Sequence, residues 1–484
     1  LKYSRDNNYF KEDLQEKFPR VDEIPLDSSR KMMTTIHENG EKYLVLTKGA
    51  PEIIIGKCKH IDNNGSIEIL DDSIKETLTE KINEMSDNAL RVLGIAYKNT
   101  ENIEDNVEND LIFTGLVGII DPPKENVDKS IAACKKAGIK VRMITGDHLK
   151  TASAIAREIG ILTDGKVIDG ETLDKLSDEE YFEIVDDIQV YARVKPEQKM
   201  RIVETLKQKG EIVSMTGDGV NDAPALKNAS IGVAMGSGTD VAKETGSLII
   251  TDDKFSSILN GVEEGRTAYD NVRKVTYMLL SCGVSEVFFY ILAILLDYPI
   301  PLTAIQLLWL NLVTDGIQDV ALAFEEKEKD ILKRKPRKPE ENLFDRLLRN
   351  EIFLMGIIMG IIVFGLWIYL IDVLKYDINT ARSYVLLLMV FIQNIHCFNC
   401  RSEIHSIIKK PIKENKKLIF AIITVLFIQF VVVENSFLSH VLGSEPIPIL
   451  HVLYLFLLAT PIILVSELLK YFEREKIKRG KLWL

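Results

Sequence analysis

Six apolar stretches in series, at 275–297, 301–324, 352–374, 383–400, 418–438 and 449–469, constrain this chain more than any other feature. Most are long enough to cross a hydrocarbon core, which takes about 20 helical residues; the fourth is the most polar. Buried helices of a water-soluble protein rarely come six in series, so the second half reads as an α-helical membrane domain. Residues before about 255 instead alternate short apolar runs with charged, turn-rich stretches, as soluble α/β domains do. At 484 residues the chain holds more than one domain.

Charge gives an expected orientation. Basic residues gather after the second stretch (Lys333, Arg334, Lys335, Arg337, Lys338, Arg346, Arg349) and after the fourth (Arg401, Lys409, Lys410, Lys413, Lys416, Lys417). They gather again after the sixth (Lys470, Arg474, Lys476, Lys478, Arg479, Lys481), while the other connections hold little beyond Lys375 and Arg382. By the positive-inside bias these loops, the soluble part and the C-terminus are cytoplasmic. A formal charge of -11 argues against a nucleic-acid partner. Of five cysteines, Cys58, Cys134, Cys282, Cys397 and Cys400, three lie in apolar stretches and read as buried hydrophobes, not a disulfide framework. The Cys397-x-x-Cys400 spacing beside His396 is read as helix packing, not as a soft-metal site. The basic tail reads as a topological anchor with affinity for anionic lipid. The chain opens at Leu1 with no signal-peptide pattern and is taken as a fragment.

The soluble half carries the chemistry. In "EIVSMTGDGVNDAPALKNA" (211–229) an apolar strand ends in Thr216-Gly217-Asp218-Gly219, and Asn221 and Asp222 open a helix. Acidic groups at the C-terminal edge of a parallel strand sit where open α/β sheets bind ligands, and they suit Mg²⁺. A second strand end, in "IKVRMITGDHLKTA" (139–152), offers the Thr145 hydroxyl and the Gly146 amide to phosphate oxygens, followed by Asp147. In "ARVKPEQKMRIV" (192–203), Lys199 is a point charge for a phosphoryl group. Alone it would be a surface lysine; between these strand ends it belongs to a phosphoryl-transfer set.

These motifs resemble three of the four of the haloacid dehalogenase superfamily in its P-type ATPase form, supported by Asp121-Pro122-Pro123 and by "TKGAPE" (47–52). The resemblance covers the whole chain. It implies that Thr145, Gly146 and Lys199 hold the phosphoryl group, that Asp218 binds Mg²⁺, and that Asn221 and Asp222 assist. The phosphorylated aspartate of such pumps lies in an Asp-Lys-Thr-Gly-Thr sequence, which this chain does not contain. It is expected upstream with the actuator domain and four further spans, so the fragment alone is not expected to turn over. The implied domains are a partial nucleotide-binding domain (1–110), a haloacid-dehalogenase-like phosphorylation domain without its nucleophile segment (111–252), and a six-span membrane domain (253–484). For ATP, Lys48 and Arg91 match pocket residues of the family, Lys31 is the basic residue of "EIPLDSSRKMM" (23–33), and Arg193 is a candidate assistant from the neighbouring domain. Leu26 stands where an adenine-stacking aromatic is expected, and core packing is an equal alternative.

An ionisable group inside a span marks a pathway by default. Glu286 lies midway in the first stretch, and Asn311, Thr314 and Asp315 share one helix face in the second, extended by Gln318 and Asp319. Oxygen ligands on two neighbouring helices, with Gly316 loosening the backbone, suit a hard cation. Within the family, "NLVTDG" resembles the calcium pumps, and Glu286, Asn311, Thr314 and Asp315 match their cation site. Gly283 and Gln393 depart from that pattern, so one ion per cycle is expected; Asp319 and Gln393 are further candidate ligands. The third stretch is expected to be lipid-facing scaffold. The implied activity is ATP-driven transport of a cation, Ca²⁺ foremost, across a plasma membrane. Transport of H⁺, Na⁺ or Mg²⁺ is the alternative, and a truncated membrane partner or regulator is the non-enzymatic one.

Overall fold

The computed structural model describes residues 2–27, 30–87, 90–103, 107–119 and 123–478. Asp121, Pro122, Arg479 and Lys481, named above, lie outside these, as do Ser28 and Ser29 of the 23–33 segment. The chain divides into two compact units, 1–135 with 140–257, and 136–139 with 258–484.

The described residues of the first unit form three sheets. The largest has seven strands, Arg20–Asp27, Met32–Asn39, Lys42–Gly49, Arg91–Thr100, Leu111–Ile119, Cys58–Asn63 and Ser66–Ile69 in spatial order. Burial in Met32–Asn39 alternates through Met32, Thr34 and Ile36, the period of two that a pleated strand with one covered face requires. Leu111–Ile119 belongs to this sheet, so the sheet runs on past the boundary expected at 111. The other two sheets are parallel and three-stranded: Met143–Ile144, Ile188–Ala192 and Lys166–Asp169, and Ser214–Gly217, Ile231–Met235 and Leu248–Ile250. Ile188, Val190, Tyr191 and Ala192 are all enclosed, as a central parallel strand covered on both faces demands.

The second unit is helical. Among the described residues, five helices are long and apolar enough to cross a membrane: Phe255–Leu295, Arg346–Val373, Ile378–Cys400, Lys416–Glu434 and Ile449–Ile477. The second apolar stretch departs from the expected unbroken span. It is helical in three pieces, Ala304–Trp309, a π turn over Leu310–Asp315, and Gly316–Ala323. The π turn sits where its polar residues concentrate. The third stretch is likewise more than lipid-facing scaffold, because Met355, Met359, Val363 and Trp367 are fully enclosed. Gly356 and Gly360 explain how: a Cβ on Gly356 would lie 2.6 Å from Val284 Cγ1, and one on Gly360 2.7 Å from Phe288 Cδ1. This small-xxx-small pattern lets Arg346–Ile368 approach the helix that carries Glu286. All five cysteines are free and buried, and burial pushes the Cys58 thiol up to about 12.

Candidate functional site

Two of the three motifs expected to hold a phosphoryl group end edge strands. Met143–Ile144 is the edge of one parallel sheet and leads into Thr145-Gly146-Asp147; Ser214–Gly217 is the edge of the other and leads into Asp218. The two edges lie near each other, since Ile144 and Val213 pack into the same two apolar clusters and Lys140, ahead of one strand, pairs with Glu211, ahead of the other, at 2.9 Å.

Lys199 and Asp222 meet directly, Nζ to Oδ1 at 2.6 Å. The other oxygen of Asp222 accepts the backbone N–H groups of Asp218 (3.3 Å) and Gly219 (3.2 Å), so this carboxylate shapes the loop as well as holding the lysine. Gly217 must be glycine for that turn to close, because a Cβ there would sit 2.4 Å from Asp222 Cβ. Asp218 and Asn221 remain exposed at the strand end. On the other loop the Thr145 hydroxyl donates to Asp147 Oδ2 (2.9 Å) while the Asp147 amide donates to Thr145 Oγ1 (3.1 Å). Arg193, in a left-handed conformation (φ 49°), ties in through its amide to the Asp147 carbonyl at 3.0 Å. His148 caps the next helix, Leu149–Glu158, its Nδ1 accepting from the Lys150 amide. Burial, then the charges of Arg193 and Lys150, hold its pKa below the ordinary 6.5.

The expected nucleotide residues lie on the seven-stranded sheet. Lys31 (φ 55°) turns between Arg20–Asp27 and Met32–Asn39, and its carbonyl comes within 2.5 Å of where a Cβ on Gly49 would stand. Lys31 and Lys48 are thereby brought to the same end of paired strands, with Met32 opposite Gly49. Arg91 opens the adjoining strand, three residues before Gly94, which faces Gly49. Leu26 is 70% exposed, so no core among the described residues covers it.

In the helical unit the predicted cation residues come together across three segments. Asn311 Nδ2 donates to Glu286 Oε2 at 3.1 Å, and Gln393 Nε2 lies 3.4 Å from Asp315 Oδ2. Glu286, Thr314, Asp315 and Gln393 are buried. One side-chain oxygen of each of Glu286, Thr314, Asp315, Asp319 and Gln393 is enclosed without a hydrogen-bond partner, and so are Ser285 Oγ and Gln318 Oε1. Gln318 also donates to Asn394 at 2.9 Å, a link between segments that sequence reasoning passed over. Enclosed oxygens short of partners are costly unless something neutralises them, and a hard-oxygen set of this kind fits a cation.

Three families match in chain order: P-type ATPase cytoplasmic domain N over residues 1–126, haloacid dehalogenase-like hydrolase over 112–230, and cation transporting ATPase C-terminus over 299–472. Curated relatives include calcium-transporting ATPase 1 of Bacillus cereus, 41% identical over 96% of this chain and 55% of its own length. Calcium-transporting ATPase of Bacillus subtilis is 40% identical over 90% of this chain and 49% of its own, and probable cation-transporting ATPase F of Mycobacterium tuberculosis is 36% identical over 92% and 50%. The chain thus spans about half the length of the curated relatives it matches. With its membrane-length helices and these three domains in order, the chain is an integral membrane protein and belongs to the P-type cation-transporting ATPase family.

Proposed function

We propose that the full-length protein couples ATP hydrolysis to transport of Ca²⁺ through an aspartyl-phosphate intermediate, with its soluble domains and C-terminus in the cytoplasm of a plasma membrane. The observation that carries the cation reading is the set of enclosed, unpartnered oxygens on Glu286, Thr314, Asp315, Asp319 and Gln393. Hard oxygen donors including carboxylates suit a divalent cargo, and the curated relatives named as calcium-transporting support the same choice. Asn311 orients the Glu286 carboxylate by its hydrogen bond.

For phosphoryl transfer, the two neighbouring edge strands would accept one further parallel strand between them, the position that suits a segment bearing the nucleophilic aspartate. Thr145 and the Gly146 amide would then face the phosphoryl oxygens from one side and Lys199, steadied by Asp222, from the other. The exposed carboxylate of Asp218, with Asn221 beside it, offers oxygen donors that fit Mg²⁺, which when bound neutralises phosphate charge. Lys31, Lys48 and Arg91 would hold ATP, with Arg193 assisting.

The test is ATPase activity of the full-length protein across Ca²⁺, Mg²⁺, Na⁺ and H⁺, with Asp218→Asn as the chemical control. Activation by micromolar Ca²⁺, and phosphoenzyme formation reduced by about a hundredfold in the variant, are expected. Activation by another cation alone would overturn the Ca²⁺ reading. Near-normal phosphorylation of Asp218→Asn would overturn the Mg²⁺ assignment.

A further inference from the structure

Two polar rungs join the second apolar stretch to the helix Ile378–Cys400. In the first, Gln393 Nε2 lies 3.4 Å from Asp315 Oδ2. In the second, about one helical turn further along, Gln318 Nε2 donates to Asn394 Oδ1 at 2.9 Å. Asp315, Gln318 and Gln393 are fully enclosed and Asn394 is buried. The rungs use consecutive residues of one helix, and they leave Asp315 Oδ1, Gln393 Oε1 and Gln318 Oε1 enclosed without a partner among the described residues.

The direction of the second rung is fixed by a group that has no choice. Asn394 Nδ2 donates to the Val390 carbonyl at 2.6 Å, and a backbone carbonyl can only accept. Asn394 must therefore give its NH₂ to Val390 and its oxygen to Gln318. Gln318 in turn must give its NH₂ to Asn394, so its carbonyl oxygen stands on the far side of the amide, where no donor among the described residues meets it. An amide oxygen left unpaired in a dry interior is costly, and a hard cation is the partner that a set of oxygens lacks. Reversing the rung would aim N–H groups into the same space, and those repel a cation.

We propose that Asn394 is a positioning residue: it turns the Gln318 amide so that the carbonyl oxygen, and not the NH₂, faces the transported cation, which makes Gln318 a neutral ligand. This rests on the cation reading above and adds to the ligands named there. Equilibrium binding of radiolabelled Ca²⁺ to the full-length protein in detergent, without ATP, tests it, with thermal unfolding in the absence of Ca²⁺ as the check on folding. Gln318→Met, which keeps length, and Asn394→Leu, which keeps size, should each bind Ca²⁺ about tenfold more weakly. A carboxylate has oxygen at both ends and needs no partner to aim it. Adding Gln318→Glu to Asn394→Leu should therefore regain most of the loss although the rung stays broken. Added charge acts alike in both backgrounds, so the gain from Gln318→Glu should be larger beside Asn394→Leu than in the parent. Parental affinity in Gln318→Met, or the same gain in both backgrounds, overturns the assignment and leaves the rung as a tie between helices. If the parent binds another cation in place of Ca²⁺ with this same pattern across the variants, the Ca²⁺ reading falls and the orienting role of Asn394 stands.

Discussion

At the scale of single residues, the imidazole of His148 links the helix that follows Thr145-Gly146-Asp147 to pH. Its Nδ1 accepts the Lys150 amide and caps Leu149–Glu158 directly after Thr145-Gly146-Asp147. Protonation would convert that acceptor into a donor and undo the cap. Because burial and neighbouring cations depress the folded-state pKa below 6.5, the unfolded chain binds more protons at mildly acidic pH. Stability of this segment is therefore full above about 6.5 and falls as pH drops toward the depressed value. Hydrogen exchange of the amides of 150–156, corrected for intrinsic rates, should show protection falling a fewfold from pH 7.5 to about 5. His148→Asn keeps a good cap without a titrating ring, so its protection should stay flat. An unchanged slope in that variant would assign the pH effect to another group. The placement of Thr145-Gly146-Asp147 at a strand end was legible because an apolar run of Val141, Met143 and Ile144 leads directly into it. The dual role of Asp222, which holds Lys199 and two amides at once, was not, since it depends on a turn that only the folded chain defines.

At the scale of elements, apolar length announced the membrane helices, but their contacts were carried by glycines that composition does not weigh. The "GIIMG" of 356–360 is the signal that could have placed the third stretch against the Glu286 helix. The π turn over Leu310–Asp315 had no such signal. Gly316 does not explain it sterically, since a Cβ there would meet Asn311 O at an ordinary 3.7 Å. Gly356→Leu is expected to push Arg346–Ile368 away from Ser281 and Val284, costing about 1–3 kcal/mol of stability by overpacking. Glu286 lies two residues beyond Val284, so cation-activated phosphorylation of the full-length variant should need about tenfold more cation, a displacement effect. Gly365→Ala is the matched control: a Cβ there meets nothing within 4 Å, and a helix-interior alanine gains roughly 0.5–1 kcal/mol. Thermal unfolding and cation titration of the two variants decide it. Equal behaviour would show that close approach of the two helices is not what positions Glu286.

For the molecule as a whole, the question is whether the enclosed oxygens of the helical unit govern the chemistry proposed for the soluble one. Asp315 is the place to ask, because it is fully buried, one oxygen lies 3.4 Å from Gln393 and the other has no partner. Asp315→Asn preserves size and one oxygen while removing a unit of negative charge. A divalent ion loses twice the Coulomb energy that a monovalent ion loses when a ligand charge disappears at the same distance. Ca²⁺ affinity should therefore fall by about two orders of magnitude, whereas any activation by a monovalent ion falls much less. ATP binding should survive, since Lys31, Lys48 and Arg91 belong to the other unit. The measurement is phosphoenzyme formation by the full-length protein against cation concentration, for the parent, Asp315→Asn and Asp319→Asn. Unchanged Ca²⁺ activation in Asp315→Asn would move the site elsewhere. Sensitivity confined to Asp319→Asn would instead favour a proton or monovalent cargo, because Asp319, with an enclosed oxygen of its own, sits one helical turn beyond Asp315.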